Sequence, residues 1–226
     1  MANQEASTPR RRSYPKVILV TDPAYDEALV LDVVTACARA IPRGEFAVQL
    51  RDKKKDPRAV RAFAERLREA TRSDGALLLI NGNAALAKDV GADGVHVGGG
   101  ELTVGAVRDV VGRAALVTIA AHSDQAVQLG AADGADGALV SAIFPSPGKA
   151  VGRGVQAIRS ARAAVGGDFL IYALGGVERS NTAECLDAGA DGVAAIRALL
   201  LASDPGAEAR GMYEFTEEFR RAVQAS

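Results

Sequence analysis

The two histidines of the chain are its clearest candidates for proton transfer. Imidazole has an ordinary pKa close to neutral pH, so a histidine in a polar loop can act as an acid and as a base. His122 begins a polar segment, whereas His96 lies in the apolar phrase Val95-His96-Val97 and fits a buried core imidazole better. Neither has the neighbouring side chains of a histidine metal site. The sequence therefore predicts His122 as the acid–base residue.

Two short phrases are suited to binding a phosphate. Gly175-Gly176 follows an apolar segment, and glycines let backbone N–H groups approach an anion closely. Ile196-Arg197 follows the next apolar segment, and Arg197 offers either a bidentate contact to the anion or an external salt bridge. A Gly-Gly pair is also common in tight turns, so the expectation depends on both phrases lying at one site.

Cationic and amide side chains form a second candidate anion site. Arg51 and Lys53 are two positions apart, so in an extended segment they project to the same side. Gln49 and Asn81 add amide groups at the ends of apolar runs. Lys149 lies in a loop rich in proline and glycine, as in a lid that brings a cation to a bound ligand. These lysines could instead be solvated surface residues. An anionic small molecule is the predicted ligand.

A repeated phrase indicates the elements that must position these residues. Gly-Ala-Asp-Gly occurs at residues 91–94, 134–137 and 189–192, each time after a helical pattern and before a short apolar run. Glycine commonly ends helices, so each copy predicts a helix stop that leads into a strand. Capping side chains predict helix starts at Asp56-Pro57, Thr103, Ser180-Asn181 and Asp204-Pro205.

Eight apolar segments of strand length are each followed by a helical pattern. They are Val17–Thr21, Phe46–Arg51, Ala76–Asn81, Gly94–Val97, Ala115–Ala120, Ala138–Ile143, Phe169–Leu174 and Val193–Ile196. Eight such units without a break in composition predict an α/β fold, a single (β/α)8 TIM barrel over residues 16–226, rather than an open doubly wound sheet. In such barrels the loops after the strands carry the chemistry, and the candidate residues lie there.

Composition limits the classes of function. A formal net charge of −1 argues against a general nucleic-acid binder, which would carry a basic excess. No apolar run approaches the roughly 20 residues that span a bilayer, and residues 1–15 are predicted to be a disordered polar tail with the basic run Arg10-Arg11-Arg12. Cys37 and Cys185 are predicted to be buried thiols in a reducing cytoplasm. A cytoplasmic protein is expected, and a homodimer is left open.

Taken in order, the strand ends resemble the thiamine phosphate synthase and thiazole tautomerase superfamily. The matching phrases cover nearly the whole chain after the tail: Val17-Ile18-Leu19-Val20-Thr21-Asp22, Gln49-Leu50-Arg51-Asp52-Lys53, Ile80-Asn81-Gly82-Asn83, Gly91-Ala92-Asp93-Gly94-Val95-His96-Val97-Gly98, Ile143-Phe144-Pro145 with Lys149, Gly175-Gly176-Val177 and Gly189-Ala190-Asp191-Gly192-Val193. The resemblance implies an enzyme of thiamine biosynthesis that binds a phosphorylated thiazole, with Gly176 and the Ile196-Arg197 loop at the phosphate.

In the synthases, the resemblance implies, an aminopyrimidine pyrophosphate ionises with magnesium assistance and the thiazole nitrogen captures the resulting cation. The positions that hold the pyrophosphate there match Arg51, Lys53, Asn81 and Lys149.

The chain departs from the synthase pattern at several positions. Gly82 replaces an aspartate, residues 98–101 read Gly-Gly-Gly-Glu instead of Gly-Gln-Glu-Asp, and Ala120 replaces a serine. Glu101 is then the one carboxylate left to bind magnesium. Mg²⁺ beside a pyrophosphate usually has one or two carboxylate ligands, so a ligand of the synthase pattern is missing here. Arg197 replaces a serine common to both branches of the superfamily.

The tautomerase branch needs proton transfer and anion contacts but no metal, and it is similar in having Asn-Gly after strand three and a histidine at the position of His122. We therefore expect a tautomerase-like enzyme that aromatises a thiazole carboxylate phosphate, with His122 and Lys149 as catalytic residues and no cofactor. The alternatives are a divergent synthase that uses Glu101 and Mg²⁺, and a barrel that binds thiazole or thiamine phosphate without catalysis.

Overall fold

The computed structural model describes residues 14–52, 56–99, 102–146 and 150–224, which form eight strands and nine helices. The strands are β1 Val17–Val20, β2 Phe46–Leu50, β3 Leu77–Asn81, β4 Gly94–Val97, β5 Leu116–Ala121, β6 Gly137–Ser141, β7 Leu170–Leu174 and β8 Gly192–Ala195. The helices are α1 Glu27–Ala40, α2 Pro57–Asp74, α3 Ala84–Val90, α4 Val104–Val111, α5 Asp124–Ala132, α6 Gln156–Ala164, α7 Arg179–Asp187, α8 Arg197–Leu200 and α9 Pro205–Gln224.

The eight strands close into a parallel barrel in chain order, with β8 pairing with β1. The predicted (β/α)8 TIM barrel is therefore confirmed, and each predicted strand lies within two residues of the observed one. The short helix α8 between β8 and α9 was not predicted. Residues 1–13, which hold most of the predicted tail, lie outside the described residues.

The strands are buried on both faces because the helices cover the outside of the barrel and side chains fill its inside. The inner cluster is apolar at mid-barrel and includes Ile18, Leu79, Leu139 and Tyr172. Side chains alternate along a strand, so Ser141 faces the same way as Leu139. The inner positions nearest the carboxyl ends of β2, β3, β4 and β6 are polar, with Gln49, Asn81, His96 and Ser141, and this is where the predicted site lies.

Each Gly-Ala-Asp-Gly phrase ends a helix and starts a strand, as predicted. Its first glycine has a positive φ, 64° at Gly91, 86° at Gly134 and 103° at Gly189. Its second glycine lies against the next strand along the barrel; a Cβ at Gly94 would be 2.1 Å from the Leu116 carbonyl oxygen. Both glycines are therefore required by the backbone.

The aspartate of each phrase has a role that the sequence analysis missed. The Asp136 carboxylate accepts hydrogen bonds from the Val117 N–H and from Arg108 of α4, both at 2.7 Å. The other two copies repeat this arrangement, with Asp93 bound by Leu78 N–H and Arg68, and Asp191 by Ile171 N–H and Arg162. These three Arg–Asp pairs tie alternate helices to the amino-terminal end of the barrel.

Three of the four predicted helix starts are confirmed. Asp56, Thr103 and Asp204 each accept a hydrogen bond from a backbone N–H in the first turn. The start predicted at Ser180-Asn181 is wrong, because α7 begins at Arg179. Asn181 lies inside that turn, where its Oδ1 accepts from the Glu178 N–H at 3.0 Å.

Cys37 and Cys185 are free and buried, as predicted. Burial raises the pKa of each thiol to about 12, so neither is a ready nucleophile near neutral pH. Among the described residues, every helix is too short or too polar to cross a membrane.

Candidate functional site

The polar residues of the inner rim form pairs between neighbouring strands. Gln49, which is 2% exposed, donates from Nε2 to Asn81 Oδ1 at 3.2 Å. The Gln49 Oε1 is buried and has no hydrogen-bond partner among the described residues. Leaving a buried acceptor unsatisfied is costly, so this oxygen is suited to a donor on a ligand. The structure thus brings together two of the predicted substrate-binding residues.

A second pair joins β4 and β5. His96 Nδ1 lies 3.0 Å from Thr118 Oγ1, and both side chains are buried. Burial, and secondly the positive charge of Arg51, lowers the pKa of His96 to about 4. His96 is therefore neutral near pH 7, consistent with the predicted core imidazole, yet it borders the site, since it is the register partner of Asn81 on β3.

The backbone of Arg51 is held by a residue that the sequence analysis did not single out. Thr21, directly after β1, accepts from the Arg51 N–H at 2.9 Å and donates to the Arg51 carbonyl at 3.2 Å. This hydroxyl fixes the chain where β2 passes into its loop. Lys53, Lys149 and Glu101 lie outside the described residues.

His122 follows β5 and contacts β6. Its Nδ1 lies 3.1 Å from the Ser141 carbonyl oxygen and 3.3 Å from Ser141 Oγ. Because a carbonyl can only accept, Nδ1 carries the ring proton of the neutral imidazole and Nε2 keeps its lone pair. The ring is exposed at the rim. This arrangement is able to accept a proton from a ligand in the mouth of the barrel.

A cavity of about 620 Å³ occupies the opposite side of the mouth. It is lined by residues 144–146, 174–178 and 194–198, with Asp22 and Asn181. Gly175 and Gly176 have φ values of 98° and 64°, and a Cβ at Gly176 would lie 2.6 Å from the Pro145 carbonyl oxygen. The two phrases predicted to bind a phosphate therefore share one cavity.

Two further residues shape this cavity. Asn181 donates to the Gly176 carbonyl at 3.0 Å and so holds the glycine turn in place. Arg197 is half-buried in the lining and forms no ion pair with another described residue. The external salt bridge considered for Arg197 is thus not seen within the described chain, and its guanidinium is available to an anion.

The described residues do not include a group of three or more carboxylate, histidine or cysteine side chains that could hold a metal. Gly82 follows Asn81 at the edge of the mouth and supplies no carboxylate. The described part of the site therefore fits a network of amide, cationic and imidazole groups better than a magnesium site built from paired carboxylates.

Comparisons with known proteins agree with this architecture. The family model for thiamine monophosphate synthase matches residues 17–199. A thiamine-phosphate synthase of Haloarcula marismortui is 32% identical over 212 residues, covering 90% of this chain and 98% of that protein. One of Gloeobacter violaceus is 36% identical over 199 residues, covering 87% of this chain and 56% of that protein, so the chain spans little more than half of that relative.

A thiamine phosphate pyrophosphorylase from Pyrococcus furiosus has the same fold, with a TM-score of 0.78 and 24% identity, covering 92% of this chain and 98% of that one. The family match extends over all eight strands and over both sides of the mouth described above. The chain belongs to the thiamine monophosphate synthase family of enzymes.

Proposed function

We propose that this barrel is a thiamine-phosphate synthase, which joins a thiazole phosphate to an aminopyrimidine pyrophosphate. This reverses the order of the two activities expected from the sequence, where the tautomerase stood first. The names of the relatives support the synthase, and so does one feature of the site. That feature is the unpaired Gln49 Oε1, since an aminopyrimidine offers the N–H donor it lacks and a thiazole carboxylate phosphate does not.

We assign the two sides of the mouth to two substrates of different chemistry. Gln49, Asn81 and Arg51 form a polar side on β2 and β3, which we assign to the aminopyrimidine and its pyrophosphate. The cavity lined by Gly175-Gly176 and Ile196-Arg197 forms the other side, which we assign to the phosphate of the thiazole. Backbone amides and an arginine suit a phosphate monoester.

In the proposed reaction the bond between the pyrimidine methylene carbon and the diphosphate oxygen breaks, and the diphosphate leaves with the electron pair. The thiazole nitrogen then donates its lone pair to that carbon to form the new C–N bond. Arg51 stabilises the negative charge that develops on the leaving group. Lys53 and Lys149 are proposed to assist it.

Magnesium is the cofactor expected of a synthase, and it would supply further positive charge to the diphosphate. The described residues do not fit such an ion well, because the position after Asn81 is Gly82 and no group of acidic side chains lies nearby in the described chain. Glu101 is the remaining sequence-predicted ligand. No step is therefore assigned to the metal.

The tautomerase remains the second candidate, and the geometry of His122 favours it. With Nδ1 held by the Ser141 carbonyl, Nε2 is free to accept a proton from a thiazole ring. The silent binding barrel is disfavoured by membership in a family of enzymes.

A turnover experiment separates these functions. Purified protein is incubated with thiazole phosphate, aminopyrimidine pyrophosphate and Mg²⁺, and thiamine phosphate is measured. We expect product, and no product would refute the synthase. The aromatisation of thiazole carboxylate phosphate is measured in parallel with wild type and His122→Gln. A rate that depends on His122, without any thiamine phosphate synthesis, would establish the tautomerase instead.

A Gln49→Met variant tests the observation that supports the synthase. Methionine has a similar length and volume but no amide acceptor, so the KM for the aminopyrimidine substrate should rise about tenfold, the value of one good hydrogen bond. The KM for thiazole phosphate should stay the same. Equal increases in both KM values would contradict the assignment of Gln49 to the pyrimidine.

A further inference from the structure

Ser141 has a hydroxyl group that neither the sequence analysis nor the proposed reaction uses. It is the last residue of β6, it is 8% exposed, and it faces the inside of the barrel in step with Leu139. Its Oγ lies 3.3 Å from His122 Nδ1. A nearly buried hydroxyl at the mouth of a barrel is well placed to contact a ligand.

The tautomer of His122 determines what this hydroxyl can do. Nδ1 must carry a proton, because the Ser141 carbonyl 3.1 Å away can only accept one. A protonated Nδ1 has no lone pair, so the Ser141 hydroxyl cannot donate its hydrogen to the ring. No other acceptor within the described chain lies at hydrogen-bond distance from Oγ. The hydroxyl therefore has a free donor.

The surroundings indicate which kind of acceptor would satisfy it. The neighbouring inner position on β5 is Ala120, which has no polar group. Leu174, the register partner of Ser141 on β7, lines the phosphate cavity. Ser141 therefore lies between the two sides of the mouth, both of which are assigned to phosphoryl groups. Phosphoryl oxygens are strong hydrogen-bond acceptors because they carry negative charge near neutral pH.

We infer that the Ser141 hydroxyl is a substrate-binding group that donates a hydrogen bond to a phosphoryl oxygen, either of the pyrophosphate or of the thiazole phosphate. This inference rests on the proposed assignment of the mouth to two phosphorylated substrates. The Ser141 hydroxyl lies on β6, the strand next to β5, where Ala120 replaces the serine of the synthase pattern.

Calorimetric binding measurements test the inference. Inorganic pyrophosphate and thiazole phosphate are titrated separately, in buffer containing Mg²⁺, into wild type, Ser141→Ala and the control Ser73→Ala. Ser73 lies on α2, and within the described ranges its hydroxyl donates only to the Glu69 carbonyl. We expect Ser141→Ala to bind one of the two ligands about tenfold more weakly, since hydrogen bonds to charged groups have at least that value. Ser73→Ala should bind both as the wild type does.

The NMR signals of the histidine ring nitrogens report the tautomer and so distinguish substrate contact from an effect through His122, and the chain has only two histidines to resolve. We expect the His122 ring to keep its proton on Nδ1 in Ser141→Ala as in wild type. A changed tautomer that accompanies the loss of affinity would overturn the inference, as would unchanged affinity for both ligands or no measurable binding of either by wild type.

The outcome is separable from the fate of the proposed function. If the wild-type protein makes thiamine phosphate and Ser141→Ala binds both ligands as the wild type does, the inference about Ser141 is refuted and the proposed function is not. A chain that makes none, yet loses thiazole phosphate affinity in Ser141→Ala, refutes the synthase and supports the inference.

Discussion

His96 and His122 are the same residue type in opposite surroundings. His96 is buried against Thr118 within reach of the Arg51 charge, while His122 is exposed and held by a carbonyl on β6. The sequence separated them correctly because apolar neighbours surround one and polar neighbours follow the other. Their partners Thr118 and Ser141 were missed, since these lie 22 and 19 residues away and meet the histidines only when the barrel closes.

The low pKa of His96 predicts an acid-sensitive fold. Between about pH 6.5 and about pH 4 the unfolded chain takes up a proton at His96 that the folded chain does not, so stability falls as the pH falls through this window. The loss should approach about 3 kcal/mol at the lower end. We expect His96→Gln to remove this component, as measured by urea unfolding at about pH 7 and about pH 5. An equal loss of stability between the two pH values in His96→Gln and wild type would contradict this role of His96.

Gly82 predicts weak use of magnesium. Its φ of 69° is a conformation that aspartate tolerates better than most residues, and a Cβ there would meet nothing within 4 Å. Gly82→Asp should therefore fold and lower the Mg²⁺ concentration needed for half-maximal rate in the proposed synthase reaction. Gly82→Asn carries the same backbone strain without the charge and is the matched control. Equal magnesium dependence in the two variants would show that this position is remote from the metal.

The strands and helices were predictable because their signals are local. Apolar runs, glycine stops and capping side chains each act within one turn or one strand, and all eight strands were found. The Arg–Asp pairs were not predicted, although the aspartate is part of the most visible repeat. Their arginines lie 25, 28 and 29 residues earlier on helices, so the pattern has no short spacing to detect.

The pair Asp136–Arg108 predicts a change in stability without a change in chemistry. Asp136→Asn keeps an acceptor for the Val117 N–H but removes the charge facing a partly buried guanidinium, which should lower the free energy of unfolding by about 2 kcal/mol. Asp109→Asn, on the exposed face of α4 beside Arg108, should change the free energy of unfolding by less than about 0.5 kcal/mol. Denaturant unfolding measures both, and kcat should match wild type in each. A loss of kcat in folded Asp136→Asn would mean that this pair, at the amino-terminal end of the barrel, affects the site at the carboxyl-terminal end.

At the scale of the whole molecule, the polar site lies at the carboxyl ends of the strands and the three Arg–Asp pairs lie at the amino ends. The family match and the closed barrel bear out the overall fold and the superfamily. The proposed reaction rests on finer features, such as the unpaired oxygen of Gln49, that no spacing in the sequence reveals. A cytoplasmic location stays a prediction, and the sequence left the oligomeric state open.

The symmetry of the barrel predicts that the Arg–Asp pairs stabilise it independently of one another. Asp93 precedes β4 and Asp191 precedes β8, on opposite sides of the eight strands, and the two pairs share no residue. Destabilisation in the double variant Asp93→Asn/Asp191→Asn should equal the sum of the single variants to within about 0.5 kcal/mol. Thermal or urea unfolding of the four proteins measures this. A clear excess over the sum would mean that the pairs are coupled through the barrel.

The glycines that begin β4, β6 and β8 have a consequence for how this barrel can change. A side chain at Gly94, Gly137 or Gly192 would collide with the adjoining backbone, whereas the rim carries exposed or half-exposed groups such as Arg51, Asn81 and His122. Random libraries built at the rim should yield mostly folded members, and libraries built at those glycines mostly insoluble ones. Natural or directed evolution can thus select for new phosphorylated substrates by changing residues of the rim, while the glycines at the start of the strands stay the same.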